Sequence, residues 1–486
     1  MQFYVVLTVA TAIIGLLTLA IWKKTGSVAF PIGIALLYYW TLLGAWFIVA
    51  DSLGGNTGMR YQYYFYKLFP VRLDDDYFWT LVLYASFIVV IQVAILHFVR
   101  QPDWSGPSIA PIRISHAKIL FLTSVAGLVA YLLVRNSLAS AEAGNRSGYA
   151  FVRYDPSVRL FTVHQLLNRV AILSLCMGAA ILAAGKRARY IVGESVQWTT
   201  LACYIIELGL LFHFNLLMGN RYEIANSVIA ATLFYLANDR KPSKALLAAV
   251  CFAGLVAVGY VGFTRGYGGE DILLKGDFGE VVSSSLNENV VSNEPFEAHL
   301  SLYGVIHKNV PITYGTSFVS LAASVVPRMF WPARPDSIYI YYIRQVGAPD
   351  TQGYNIHHAT GWYLNFGVPG VITGAMLFGW FWAALFNRLH SDLRNASHLA
   401  RLFSILAFCT FTSAIPALVR AGIEGYKTIA LEALIFPTAL FMAASLRIVL
   451  RRNKPGLAVH GLSTSEESGF FPQTLGPKPV GFSEIL

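Results

Sequence analysis

Residues 264–366 form a polar stretch between long apolar runs, and it carries Arg265, Arg328, Arg334, Arg344, His357 and His358. Guanidinium is planar and permanently charged, and it forks onto phosphate or carboxylate oxygens. Neutral imidazole can take a proton from an attacking alcohol, and its cation can stabilise developing charge. Two segments concentrate this chemistry. Residues 326–335, VPRMFWPARP, cannot be regular helix, because Pro327, Pro332 and Pro335 break the hydrogen-bond ladder. They set Phe330 and Trp331 beside Arg328 and Arg334, a mixture that suits stacking on sugar faces while holding phosphate; an ordinary interfacial aromatic belt would use the same rings. Residues 355–367, NIHHATGWYLNFG, bring two imidazoles and the Thr360 hydroxyl to the start of an apolar run. No acidic ligand at metal spacing accompanies the His pair, so no metal site is expected.

More arginines stand in other connections on the same side. Arg221 occupies a link of a few residues, Met218-Gly219-Asn220-Arg221, where an unpartnered charge at membrane depth is costly. Arg420, Glu424 and Lys427 share a later connection, where Arg420 could simply pair with Glu424 one helical turn away. Residues 135–164 hold Arg135, Arg146, Arg153 and Arg159 against Glu142 and Asp155. For these four, local pairing or snorkelling to lipid phosphates is the simpler expectation.

These side chains must be held by membrane-spanning helices. Of 486 residues, 56% are hydrophobic and 13% charged, and the mean hydropathy is +0.55. Soluble domains carry about 25% charged residues. Runs this long and apolar read as spans, and they are too long for barrel strands. Candidate spans are 3–22, 31–50, 77–99, 118–134, 165–185, 196–218, 222–238, 244–263, 367–386, 402–419 and 428–446. The first is not a cleavable leader, since it lacks a basic start and runs into Lys23-Lys24.

Lys23-Lys24, Arg100 with Arg113, the group at 186–189, Arg240-Lys241 and the group at 388–401 recur at every second connection, and basic residues close the last span. Basic residues mark cytoplasmic loops, so the N-terminus is expected outside and the C-terminus inside. The stretch 264–366 then faces outward as a large periplasmic loop, where arginine is least expected. Within it, 317–326 is apolar but covers only about half a bilayer at ~1.5 Å per residue, so a re-entrant or interfacial helix is expected. Residues 453–486, rich in Gly, Ser and Pro, are expected to be a disordered cytoplasmic tail after a membrane domain at 1–452. The net charge of +10 follows largely from the topology signal and favours anionic lipid head groups, so no nucleic-acid partner is implied. The four cysteines all sit in apolar runs and suggest neither zinc nor a disulfide.

At Gly219-Asn220-Arg221, at 327–335, at 358–367 and at Arg420-Ala421-Gly422-Ile423-Glu424, in that order, the chain resembles the bacterial oligosaccharide repeat-unit polymerases, the O-antigen polymerase family. The resemblance implies an all-α polytopic inner-membrane protein with about eleven spans, of the GT-C-like polymerase and ligase architecture. It implies a glycosyltransferase with a periplasm-facing site, no cofactor and no nucleotide sugar. Such enzymes move a growing glycan from undecaprenyl diphosphate onto a second lipid-linked repeat unit, with a flippase and a chain-length regulator as working partners. Carried onto this chain, it makes Arg221, Arg334 and Arg420 the diphosphate candidates and His358 the residue that meets the acceptor hydroxyl. The expected catalytic set is therefore Arg221, His358 and Arg420. The expected substrate contacts are Arg265, Arg328, Arg334, His357, Thr360 and Trp331. A carboxylate base is not evident, although Glu424 is a candidate. Two alternatives stay open: an O-antigen ligase-type transferase, and a lipid-linked oligosaccharide flippase or other transporter. A transporter should place its charges within spans around a cavity.

Overall fold

In the computed structural model, the described residues are 1–53, 72–101, 111–143, 161–195, 197–239, 241–264, 279, 282–283, 293–324, 326, 331, 333–348, 355–395 and 397–445. Arg265, Arg328, the loop arginines 146, 153 and 159, and the expected disordered tail lie outside them.

The chain opens with α1 (Gln2–Thr25), then α2 (Ala29–Tyr38), a π-helical turn (Tyr39–Leu43) and α3 (Gly44–Leu53). There follow α4 (Asp75–Phe98), strand β1 (Ile112–Ile114), α5 (His116–Ala143), α6 (Phe161–Ala184), strand β2 (Ile191–Gly193), α7 (Trp198–Met218), α8 (Arg221–Asn238) and α9 (Lys244–Thr264). The polar stretch 264–366 contributes α10 (Asn293–His307), α11 (Thr316–Ala323) and α12 (Ile338–Val346). A long α13 (His358–Asn395) leads to α14 (His398–Ser413), α15 (Ile415–Ala421), α16 (Gly425–Thr428), a second π-helical segment (Ile429–Ile435) and α17 (Phe436–Ser445).

The described residues of the eleven apolar stretches are almost all helical, consistent with an all-α polytopic membrane protein. Among the described residues, seven helices are long and apolar enough to cross a membrane, or eight if α14 and the helices after it, bent by 53°, count as one span. Helix α8 falls short of that hydropathy because Arg221, Glu223, Asn226 and Asn238 interrupt it. The apolar piece predicted at 317–326 forms the eight-residue α11, too short to cross on its own at about 1.5 Å per residue. One feature was not expected. β1 and β2 form a short parallel pair, Ile112 opposite Ile191, and Asn238 secures it by donating to the Ile191 carbonyl at 2.8 Å.

Two glycines show why the helices near the site run as they do. Gly367 adopts φ +64 and ψ −147 inside α13, so the turn His358–Phe366 and the spanning part beyond it are separate helices in direction. Pro369, just after the break, loses nothing by lacking an N–H there. Gly379 faces α4 so closely that a Cβ would sit 2.4 Å from the Ile91 carbonyl oxygen. That close approach packs α13 against α4, whose first turn is anchored by Asp74 accepting from the Tyr77 N–H at 2.9 Å.

Candidate functional site

The end of the bundle where α4, α8 and α13 begin gathers most of the residues singled out in the sequence. His357 and His358 open α13, and both are fully buried, as is Thr360. The His357 backbone N–H donates to Ser301 Oγ at 3.0 Å. Its Nδ1 accepts the Ala359 N–H at 3.0 Å, leaving Nε2–H to donate to Thr41 Oγ1 at 2.9 Å. Thr41 lies in the first π-helical turn, and its carbonyl accepts Nδ1–H of His299 at 2.8 Å. His299 Nε2 in turn accepts from the Tyr77 hydroxyl at 3.0 Å. Thr360 meets Ser301 Oγ at 2.8 Å. Together these bonds form a sealed polar seam joining α10, the π turn, α4 and α13.

His358 is equally committed. Trp362 Nε1–H donates to its Nε2 at 3.1 Å, and the Tyr426 hydroxyl lies 2.9 Å from the same atom. Nδ1–H donates to the Gly422 carbonyl at 3.1 Å. The expectation that His357 and Thr360 touch substrate and that His358 meets an acceptor hydroxyl is therefore not what this conformation displays. The structure gives all three protein partners and no open face. The physical reason is burial: an enclosed imidazole must satisfy both nitrogens within the protein.

Burial also keeps the seam neutral. It lowers the His299 imidazole from its ordinary 6.5 to about 4, opposed only by the Thr41 carbonyl bond. Burial, with His358 and His299 alongside, holds His357 well below its ordinary value. An imidazole depressed in the folded state binds fewer protons there than in the unfolded chain between pH 6.5 and 4, so stability rises with pH across that window. The detergent-solubilised protein should hold its full thermal stability above about pH 6.5 and lose it progressively towards pH 4. His299→Gln should flatten this dependence, and an unchanged pH profile in that variant would show that the seam is not what titrates.

The arginines make their bonds outside this seam. Arg334, half-buried, donates through Nη1 to the carbonyls of Ser324 at 3.0 Å and Val326 at 2.8 Å. Lys427 Nζ reaches the same Ser324 carbonyl at 3.3 Å, so two cations from distant segments converge on one oxygen. Glu424 stands within electrostatic reach of both, and its Oε1 accepts the Ile338 N–H at 2.9 Å. The simple Arg420–Glu424 helical pairing weighed from sequence is undercut by Gly422, whose φ of +60 breaks the helix between them. Arg420 instead donates through Nε to Asn355 Oδ1 at 2.7 Å, and its carbonyl accepts the Ile356 N–H at 3.0 Å. These bonds tie the connection 420–427 to the segment leading into His357. Arg221 is the first residue of α8 and half-buried, and Trp331 is 43% exposed.

Below these lies a charged triad absent from the sequence expectations. Arg169, in the middle of the apolar α6, donates through Nε to Glu223 Oε1 at 2.7 Å and through Nη1 to Glu432 Oε2. Its guanidinium carbon lies 5.6 Å from the Tyr222 ring centroid, and Arg420 is within electrostatic reach of that phenol. Glu432 occupies the second π-helical segment and feels Lys427 as well. Helices α6 and α8, the connection 420–427 and the segment 324–334 thus carry one continuous band of charge. The signal was present in the sequence: Arg169 and Glu432 are ionisable residues inside predicted spans, which are functional candidates by default. At the start of α4, oxygens of Asp74 and Asp76 and a ring nitrogen of His307 lie within 4.8 Å of one another. All three already serve the fold, Asp74 as the cap of α4 and His307 paired with Asp76 at 3.0 Å.

Comparison with known proteins adds no name to this geometry, for no family model, curated sequence or solved structure matches the chain.

Proposed function

We propose that the chain is a bacterial inner-membrane polymerase that joins oligosaccharide repeat units carried on undecaprenyl diphosphate, working at the outer face with its N-terminus outside and eleven helices in the membrane. The observation that carries this reading is the convergence of Arg334 and Lys427 on the Ser324 carbonyl, with Arg420 and Arg169 in the same charged band. Cutting an anomeric carbon–phosphate bond builds negative charge on the departing diphosphate, and preorganised cations stabilise that charge. In the reaction, an acceptor sugar hydroxyl attacks the anomeric carbon and the carbon–oxygen bond to phosphate breaks. The electron pair leaves with the diphosphate, and the hydroxyl proton passes to a carboxylate of the band, for which Glu424 is placed beside Arg334. Both lipid carriers share one membrane plane, which supplies proximity. A flippase would deliver the substrate and a chain-length regulator would set the product.

A second reading has one observation behind it. The triad Arg169–Glu223–Glu432 lies within the helices, where a transporter of a charged solute would keep its charges. The readings part on product. Purified protein given one synthetic lipid-diphosphate repeat unit should form a ladder of oligomers. Single transfers onto a different acceptor would identify a ligase. Intact substrate after prolonged incubation would remove the transferase reading and leave the transporter.

A further inference from the structure

The polar stretch 264–366 holds an open cleft of about 580 Å³, within the size range of pockets that enclose a small ligand. Its walls are α11 with the turn before it and α12 with the residues leading into it, and they present the hydroxyl oxygens of Thr313, Thr316, Ser320, Ser337 and Tyr341. Thr313, Thr316, Ser320 and Tyr341 already give their protons to carbonyls of the fold, so their oxygens turn lone pairs to the cleft, which suits the hydroxyl donors of a sugar ring. The Tyr341 hydroxyl donates to the Pro311 carbonyl at 2.8 Å, which fixes the ring and its apolar face in the wall.

Charge decides the kind of ligand. Arg344 and Asp336 both line the cleft and pair at 2.9 Å, so they cancel. Among the described residues, no other charged side chain lines it. A site for free phosphate or a lipid head group would show excess cation, as the band around Arg334 does; this one suits a neutral polyol. The cleft is also joined to that band. Ser337 caps α12 beside Ile338, whose N–H is held by Glu424 at 2.9 Å. On the other wall, Ser317 and Thr313 donate to Asn365 Oδ1 at 2.6 and 3.1 Å, which fixes the wall to the helix that begins at His358.

We infer that this cleft is a saccharide subsite, taking an uncharged sugar residue of the lipid-linked unit while the neighbouring cations hold its diphosphate; the second half of that statement rests on the transferase reading. The probe is the oligosaccharide freed by mild acid from the lipid-linked pool of the native host. Saturation-transfer NMR with the full chain in detergent should show contact to its sugar protons. Ser320→Trp, which fills the cleft, and the double variant Arg344→Ala/Gln345→Ala should each weaken binding by about tenfold or more, on the order of 1.4 kcal/mol. Both should retain wild-type binding of glycan-free undecaprenyl diphosphate. Should the tryptophan variant not fold, the double variant decides alone. Wild-type affinity for the oligosaccharide in the folded variants, or no binding to the wild-type protein, overturns the subsite. Binding that depends on the cleft in a protein that forms no polymer would uphold the subsite and remove only the polymerase reading.

Discussion

Arg169→Met is expected to destabilise the folded chain by about 3–5 kcal/mol, the cost of removing one partner from a buried ion pair. Arg169 serves two carboxylates at once, and Glu223 and Glu432 are only 5% and 13% exposed. Methionine fills much of the same volume, so the loss is electrostatic rather than a cavity. Two carboxylates would then share a medium that solvates them poorly, with Lys427 within electrostatic reach of Glu432. Converting both acids as well, in Arg169→Met/Glu223→Gln/Glu432→Gln, should recover most of the stability, because replacing all charged members together leaves no uncompensated charge. Denaturation midpoints of the detergent-solubilised full chain would measure this. A single variant as stable as wild type would show that water reaches the triad and that it does not hold α6, α8 and the second π segment together. A triple variant that folds but makes no polymer would place the triad in the reaction as well as in the fold.

The span pattern was legible because apolar runs of this length have few alternatives in a chain with 13% charged residues. The break at Gly367 was not predicted, although Gly367 and Pro369 both stand at the start of that candidate span. What could not be read was which polar residues turn inwards. His357 and His358 stand in a run of polar and aromatic residues that looks exposed, yet their partners Thr41 and Tyr426 lie 316 and 68 positions away. Conversely, Arg169 is hidden in a hydrophobic run by a windowed average, although its isolation was the signal. The Arg420–Glu424 spacing suggested a helical pair, but the pairing needs unbroken helix, and a glycine with positive φ stands between them. Motif spacing reports on neighbours along the chain. The site is assembled from segments that meet only after α4, α8 and α13 have packed.

Arg334→Ala is expected to abolish the long-chain product in the purified system, with a loss of about 10²–10³ in rate if it stabilises the leaving diphosphate. Its bonds include those to the backbone carbonyls of Ser324 and Val326, which an incoming phosphate could replace without moving the helices. Arg420→Ala should lose activity comparably but also loosen the segment before His357, since Arg420 holds Asn355. The two variants therefore separate by stability, with Arg334→Ala melting as wild type and Arg420→Ala melting lower. Lysine keeps the charge but not the planar fork, so Arg334→Lys should recover only part of the activity if phosphate is held through two parallel bonds. Full recovery would mean that charge alone suffices. A normal ladder from Arg334→Ala would remove this residue from the diphosphate site, and the same result from Arg420→Ala would leave the band as a structural feature. Loss of product in Arg334→Ala with unchanged stability and unchanged oligosaccharide binding would put the defect at the diphosphate, because the cleft beside it would still hold the sugar.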